Sequence, residues 1–344
     1  MAEKKSIAKS NPAQQEFIEM LKKAIPDNHS LVDELSAMLE VSTDSAYRRI
    51  RGETALTIDE VSRLCAHYKI PFNASGQHSG PGSSVTFNYH HLSDDFNNFH
   101  QYFENVVNDL KRIKSTNPKE IIFAAEDIPI FHHFIYPNLT SFKLFYWTKS
   151  ILNVQGMDTD KYNPDAIPQS LKDIVHEIYK LYQTIPSVEI WTEDTINSTL
   201  KQIEFYLESG FFTSKEEPIQ ILEEIRMMVA QLEKQASHSL KFSGNAPEAN
   251  CDTSFTLYCS DLMIGNNCIL VTIGGTRLVY LVHNTFNSMV TTSPSFVAET
   301  DRWMKNLIRK SMLLSGVSEK QRNRFFKKLN DKINRLLERI NSEE

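Results

Sequence analysis

The chain has 344 residues, 41 % of them apolar and 23 % charged, with a net charge of −6. That length accommodates two or three domains, and the composition excludes a fibrous or disordered chain. The negative balance excludes a general polyanion binder, so any contact with nucleic acid has to come from a local patch.

The N-terminal part reads as short helices. Phe17, Ile18, Leu21 and Ile25 recur at spacings of three and four and predict a helix over 14–25, which Pro26, Asp27 and Asn28 end. A second helix is expected over about 30–40, with Leu31, Leu35, Met38 and Leu39 inward. Ser42 or Thr43 caps a third that Gly52 stops, and Thr57 caps a fourth whose apolar face is Ile58, Val61, Leu64, Cys65 and Tyr68. The run "NASGQHSGPGSS", residues 73–84, has no side chain able to fill a core and reads as a flexible linker. The expected organisation is therefore a helical domain over 1–72, a linker over 73–84 and a larger domain over 85–344.

Beyond the linker, an apolar run over 121–125 predicts a buried strand or helix, and an aromatic-rich stretch leads to a helix from about Asn138. "LKDIVHEIYKLYQ", "DTINSTLKQIEFYLESG" and "PIQILEEIRMMVAQLEKQ" carry helical spacing, and "SVEIW" between the first two predicts an isolated strand. From Asp252 the period changes to short β-prone runs broken by Gly265-Asn266-Asn267 and Gly274-Gly275, which predicts an antiparallel β-meander of three to five strands with a hairpin at the glycine pair. Two C-terminal helices follow. In the first, Glu299, Asp301 and Arg302 are expected at the helix start, as caps. The fold class expected for the whole chain is α+β: an all-α bundle, then a mixed domain of helices, meander and C-terminal helices.

The segment "LVDELSAMLEVSTDSAYRRIRGETAL", residues 31–56, fits the geometry of a helix–turn–helix. Leu31, Leu35 and Leu39 stripe a supporting helix, Glu40-Val41-Ser42 makes the turn, and Ala46 and Ile50 continue the stripe on a second helix. Thr43, Asp44, Ser45 and Arg48 then fall on the outward first turns, where side chains reach base edges, and Arg48 has the fork geometry for guanine O6 and N7. Arg49 and Arg51 are expected at phosphates, assisted by the free N–H groups of the helix start behind Ser42. Tyr47 reads either as core edge or as a sugar–phosphate contact.

With those residues in place, the run resembles the lambda-repressor/Cro-like helix–turn–helix, and within it the "DSxYRRIRGE" subfamily of bacterial transcriptional regulators called BetR-like. The shared pattern is carried by Leu31 and Leu35, Val41-Ser42, Arg51-Gly52-Glu53, and Glu60 with Leu64, and covers about 60 of the 344 residues. Commoner members space the apolar pair of the recognition helix three apart. Here Ala46 and Ile50 are four apart, which leaves open which of Thr43, Asp44, Ser45 and Arg48 touches bases. The resemblance implies a one-component transcriptional regulator that binds operator DNA through residues 43–51, acts as a homodimer, and carries a sensing domain for a small-molecule effector or a partner over 85–344. Residues 1–70 hold ten Lys and Arg against eleven Asp and Glu, a net of −1, so the arginines must supply most of the phosphate attraction, and two copies per operator are expected. The alternatives are a protein–protein adaptor with a helical docking domain, or an enzyme within 85–344.

Catalytic signals in the larger part are weak. Gly274-Gly275-Thr276 lacks the Gly-Lys-Ser/Thr of a phosphate loop, and the adjacent pairs His90-His91 and His132-His133 cannot each present two ligands to one metal. Cys65, Cys251, Cys259 and Cys268 form no C-x-x-C pair, which argues against a disulfide framework or structural zinc. The apolar runs are far shorter than the roughly 20 residues of a membrane span, and no apolar stretch follows the N-terminal lysines. The expectation is a cytoplasmic, non-enzymatic protein with no metal, cofactor or membrane contact. Residues 302–340 carry twelve Lys and Arg against three acids, and Phe326, Leu329, Ile333, Leu336 and Ile340 stripe one face of the last helix. That helix packs on its own domain, forms a dimer seam, or rests on phosphates.

Overall fold

The computed structural model describes residues 12–25, 29–68, 70, 85–155, 161–249 and 251–342, and the chain divides into two units, Met1–Thr86 and Phe87–Glu344. The expected helix terminator at residues 26–28 and the expected linker at 73–84 lie outside the described residues.

The first unit is built from α1 (Pro12–Ala24), α2 (Leu31–Leu39), α3 (Thr43–Ile50) and α4 (Ile58–Tyr68). Phe17, Ile18 and Leu21 of α1, Leu35 and Leu39 of α2, Ala46 of α3, and Leu64 with Cys65 of α4 close one core. Ala46 is fully buried, so a larger side chain there would separate the helices. Ile58 departs from the expected apolar face and is 75 % exposed. Its place is the first residue of α4, where the Cα–Cβ bond tilts toward the helix N-terminus and carries the side chain past the core edge.

The second unit, and with it the chain, is α+β. Its elements are β1 (Asn88–Tyr89), α5 (Phe96–Lys114), β2 (Lys119–Ala124), α6 (Pro137–Tyr146), α7 (Gln169–Tyr182), β3 (Ser187–Trp191), α8 (Asn197–Glu208), α9 (Glu216–His238), β4 (Phe255–Cys259), β5 (Cys268–Ile273), β6 (Thr276–His283), β7 (Phe286–Thr291), α10 (Pro294–Lys310), β8 (Met312–Leu313) and α11 (Glu319–Ser342). Eight strands form one sheet in the order β1-β7-β6-β5-β2-β3-β4-β8. Strands β2, β3 and β4 run parallel, and every other pairing is antiparallel.

Two expectations change here. "SVEIW" is no isolated strand: as β3 it lies between β2 and β4 in the sheet interior. The meander expected from Asp252 contains only β5, β6 and β7, because β4 pairs parallel with β3, Ser187 opposite Phe255 and Trp191 opposite Cys259. Residues 260–267 then carry the chain past two strands to β5. Ile273 lies opposite Thr276 across the glycine turn, in which Gly274 takes a φ of 58°, open to glycine without steric cost.

The period of two along β2 sorts the layers. Ile121 and Phe123 enter the large core beneath α5, α6, α7, α9 and α11, whereas Ile122 and Ala124 enter a smaller core covered by Val297, Met304 and Leu307 of α10. The last helix packs on its own domain. Its stripe from Phe326 to Ile340 is buried, and its basic side meets acids around α8: Lys328 with Glu193, Lys332 with Asp194 at 2.9 Å, and Arg339 with Glu204 at 2.9 Å and Glu208 at 2.7 Å.

Asp301 is not at a helix start, since α10 begins at Pro294. It instead ties α10 to β6 by accepting from Arg277 at 2.7 Å, and Lys305 adds a second pair at 2.8 Å. The Arg277 hydrogen bond, helped by Lys305 and opposed by burial, holds the Asp301 carboxyl at about 2. A depressed carboxylate stabilises the fold above its unfolded pKa of about 3.9 and loses that contribution as pH falls toward its folded value. Asp301→Asn is therefore expected to cost about 1–2 kcal/mol at pH 7, with the difference from the parent shrinking between about pH 4 and 2 in urea melts. A constant difference across that range would refute the ion pair as its source.

Candidate functional site

The turn between α2 and α3 is set by local bonds. Glu40 takes the left-handed conformation, φ 55°, and Ser36 Oγ donates to the Val41 carbonyl at 2.6 Å. Ser42 caps α3, its hydroxyl oxygen accepting from the Ser45 N–H at 3.3 Å. At the other end the N–H groups of Glu53 and Gly52 return to the carbonyls of Arg48 and Arg49, a Schellman closure with Gly52 at φ 73°. Helix α3 is thus eight residues long and fixed at both ends.

The polar residues of α3 divide by direction. Ser42, Thr43 and Asp44 are exposed and Ser45 is half-buried. Tyr47 is 51 % exposed, so it stands outside the core rather than completing its edge. The Arg48 and Arg51 side chains are 56 % and 57 % exposed, on either side of Glu53, at 3.9 Å and 3.1 Å from its carboxylate. Arg49 differs from the expectation of a phosphate contact. Only 15 % of its side chain is exposed, and its guanidinium donates to Glu60 at 2.7 Å and to the Ser45 carbonyl at 3.3 Å. The reason is its position on the α3 face turned to the start of α4, where Glu60 also accepts the Thr57 N–H at 2.8 Å. Burial of Glu60 opposes its charge, but the bonds from Arg49 and Thr57 outweigh it and hold the carboxyl below the usual range.

Gln14 is a further determinant that sequence reading missed. Buried on α1, its amide donates to the carbonyls of Arg49 and Thr54, both at 2.8 Å, and accepts the Leu56 N–H at 3.0 Å. A polar residue one turn before Phe17 and Ile18 was the available signal. Gln14→Ala strands three backbone groups and is expected to destabilise the helical unit by about 2–3 kcal/mol. Hydrogen exchange at the α3 amides would register it, and unchanged protection there would exclude Gln14 as a clamp.

The second unit holds a fully enclosed carboxylate, Glu189, on the β3 face that meets the large core. His132 Nε2 lies 2.9 Å from it, the Tyr182 hydroxyl donates at 2.7 Å and the Trp191 indole N–H at 3.0 Å. Desolvation opposes its ionisation, yet His132, Lys241 and these donors hold its pKa below the usual value. Lys241 donates to the Tyr182 carbonyl at 2.9 Å and lies over the Tyr182 ring, and burial brings its ammonium down to about 7. His132 and His133 are both buried rather than at an edge. His132 is bound to Glu189, whereas His133 has no hydrogen-bond partner at either ring nitrogen among the described residues, and desolvation lowers its pKa and keeps it neutral.

A cavity of about 500 Å³ opens beyond the C-terminal end of β2. Glu126 and Asp127 lead into it, Tyr102, Tyr146 and Trp147 wall it, and the Asn284-Thr285 turn borders it at φ values of 49° and 82°. Positive φ at both positions is the type I′ hairpin geometry, and a β-branched threonine adopts it only under strain. A wider cleft beside it, past the ends of β3 and β4, shares Glu126, Tyr146, Ser198 and Gln202. Crevices at the carboxyl ends of parallel strands are the usual ligand positions of such sheets.

Among the described residues no group of three or more His, Cys, Asp or Glu side chains is arranged to hold a metal. No helix among them is long and apolar enough to cross a membrane. All four cysteines are free, and burial pushes Cys259 up to about 11 and Cys268 up to about 12. No family model, curated protein or solved structure matches the chain.

Proposed function

We propose that the protein is a sequence-specific DNA-binding transcriptional regulator of the one-component type, acting in the cytoplasm. The first unit reads operator DNA through α3, and the second unit adjusts that affinity in response to a small molecule or a partner. The observation that carries this reading is the division of α3. Arg49 is spent inside the unit on Glu60, whereas Thr43, Asp44, Tyr47, Arg48 and Arg51 remain outward behind a capped helix start. Two copies on a palindromic site offset the small electrostatic attraction of a domain whose net charge is −1.

One observation favours a second reading. Ile58 and Tyr47 are both large, apolar and exposed on this unit, as a peptide-docking surface would have them. Selection of genomic fragments with the purified full chain, followed by mobility shifts across salt concentrations, separates the two. A regulator selects a defined sequence and binds it with an affinity that falls steeply with salt. Failure to enrich any sequence refutes the DNA reading and leaves docking.

A further inference from the structure

Helix α11 carries its cations on two sides that the fold treats differently. Lys328, Lys332 and Arg339 share the side that meets the acids around α8. At about 3.6 residues per turn, Lys320, Arg324 and Lys327 instead follow one another along the face opposite the buried Phe325, Phe326 and Leu329. All three are exposed, and none has a hydrogen-bond or ion-pair partner among the described residues. Asp331 and Glu338 lie farther along the same face, so its first half alone is purely cationic. Lys310, the last residue of α10, adds another exposed cation just before β8.

This row works against the fold rather than for it. Lys320 with Arg324, and Arg324 with Lys327, are like charges one turn apart, and Lys320 stands in the first turn, where the helix dipole disfavours a cation. The helix start is nonetheless held firmly. The guanidinium of buried Arg322 donates to the carbonyls of Leu314 at 3.1 Å and Gly316 at 2.7 Å, and the Gly316 N–H donates to the Ala236 carbonyl of α9 at 2.9 Å. A fixed row of uncompensated cations over about 10 Å of helix suits a row of anions, as the phosphates of a nucleic-acid strand provide. A lipid surface suits it less. Met312, Leu313 and Val317 are exposed nearby, but Leu313 stands opposite Tyr258 and Met312 opposite Cys259, on alternate faces of the sheet, so they form no single apolar plane beside the row. The charge distribution along the chain points the same way: residues 1–70 have a net charge of −1, whereas residues 302–340 hold twelve Lys and Arg against three acids.

We propose that Lys320, Arg324 and Lys327 bind the phosphates of duplex DNA without regard to sequence, a second contact that supplies the electrostatic attraction the first unit lacks. That this DNA is an operator rests on the reading above; the phosphate contact does not, and is measured on a random-sequence duplex. Mobility shifts of the full chain across salt concentrations compare the parent with the triple variant Lys320→Gln, Arg324→Gln, Lys327→Gln. The variant is expected to lower the slope of log affinity against log salt by about 2 to 3, and the affinity at low salt by roughly tenfold or more, equally on random duplex and on a selected operator. Its melting temperature stays at or above that of the parent, because only like-charge pairs are removed. Arg324→Gln alone lowers the slope by about one, whereas Lys332→Gln, equal in charge but on the side paired with Asp194, leaves it unchanged. Absence of binding to random duplex at low salt, an unchanged slope in the triple variant, or an equal fall in Lys332→Gln overturns the proposal. So does binding that depends on the three residues on phosphatidylserine-containing vesicles but not on DNA. If selection enriches no operator while the triple variant still lowers the slope on random duplex, the regulator reading fails and this contact stands; an enriched operator with an unchanged slope gives the reverse.

Discussion

Arg48→Ala is expected to lower operator affinity by ten- to a hundredfold at fixed salt, while Arg49→Ala lowers it mainly through stability. The first figure is that of a bidentate guanine contact, about 1–3 kcal/mol. The second follows from geometry, since the Arg49 guanidinium is held on Glu60 at 2.7 Å and is not presented outward. Mobility shifts on the selected operator and on random DNA separate the roles. Loss at a base contact falls on the operator alone, whereas loss at a phosphate, expected of Arg51→Ala, weakens both sequences and reduces the salt slope by about one. Equal loss on both sequences for Arg48→Ala would move it to the backbone class. Glu53 adds an internal check. Its carboxylate sits between Arg48 and Arg51 and competes with any phosphate for them, so its removal should tighten binding rather than weaken it.

The second large effect is on stability. Glu189→Gln is expected to destabilise the second unit by about 3–5 kcal/mol, because it removes the counter-charge from a centre with no access to water. Lys241 would be left buried without a counter-charge, and His132 would lose the carboxylate it lies against at 2.9 Å. Urea denaturation followed by far-UV circular dichroism checks this. A loss below about 1 kcal/mol would mean that the centre is already neutral, contrary to the depressed pKa of Glu189. Tyr182→Phe, which removes one donor of the four groups around the carboxylate and leaves the charges, should cost about 1–2 kcal/mol.

Helices were legible wherever one face is apolar at spacings of three and four. α7, α8, α9 and α11 are of that kind, and so is α5, where Phe99, Phe103, Val107, Leu110 and Ile113 carry the same spacing. Strands were legible as β-prone runs, but their partners were not. Nothing within "SVEIW" tells that it pairs parallel with β2 and β4, because pairing is decided by crossover helices tens of residues away. The candidate DNA surface was legible in outline, since helix, turn and cap follow from local residue types. The inward turn of Arg49 was not, for it depends on Glu60, eleven residues on, and on Gln14, thirty-five residues back. The cavity was invisible for the same reason: its walls come from segments that only the completed sheet brings together.

The two outermost strands of the sheet, β1 and β8, are two residues each. Very short edge strands are one of the devices by which sheets limit edge-to-edge pairing with other chains. Among the described residues, each end of the sheet closes on a two-residue strand, which gives a second copy little strand to pair with there. If two copies meet on an operator as proposed, a seam of side chains on helix surfaces is then expected rather than a shared sheet, and point substitutions there should abolish it.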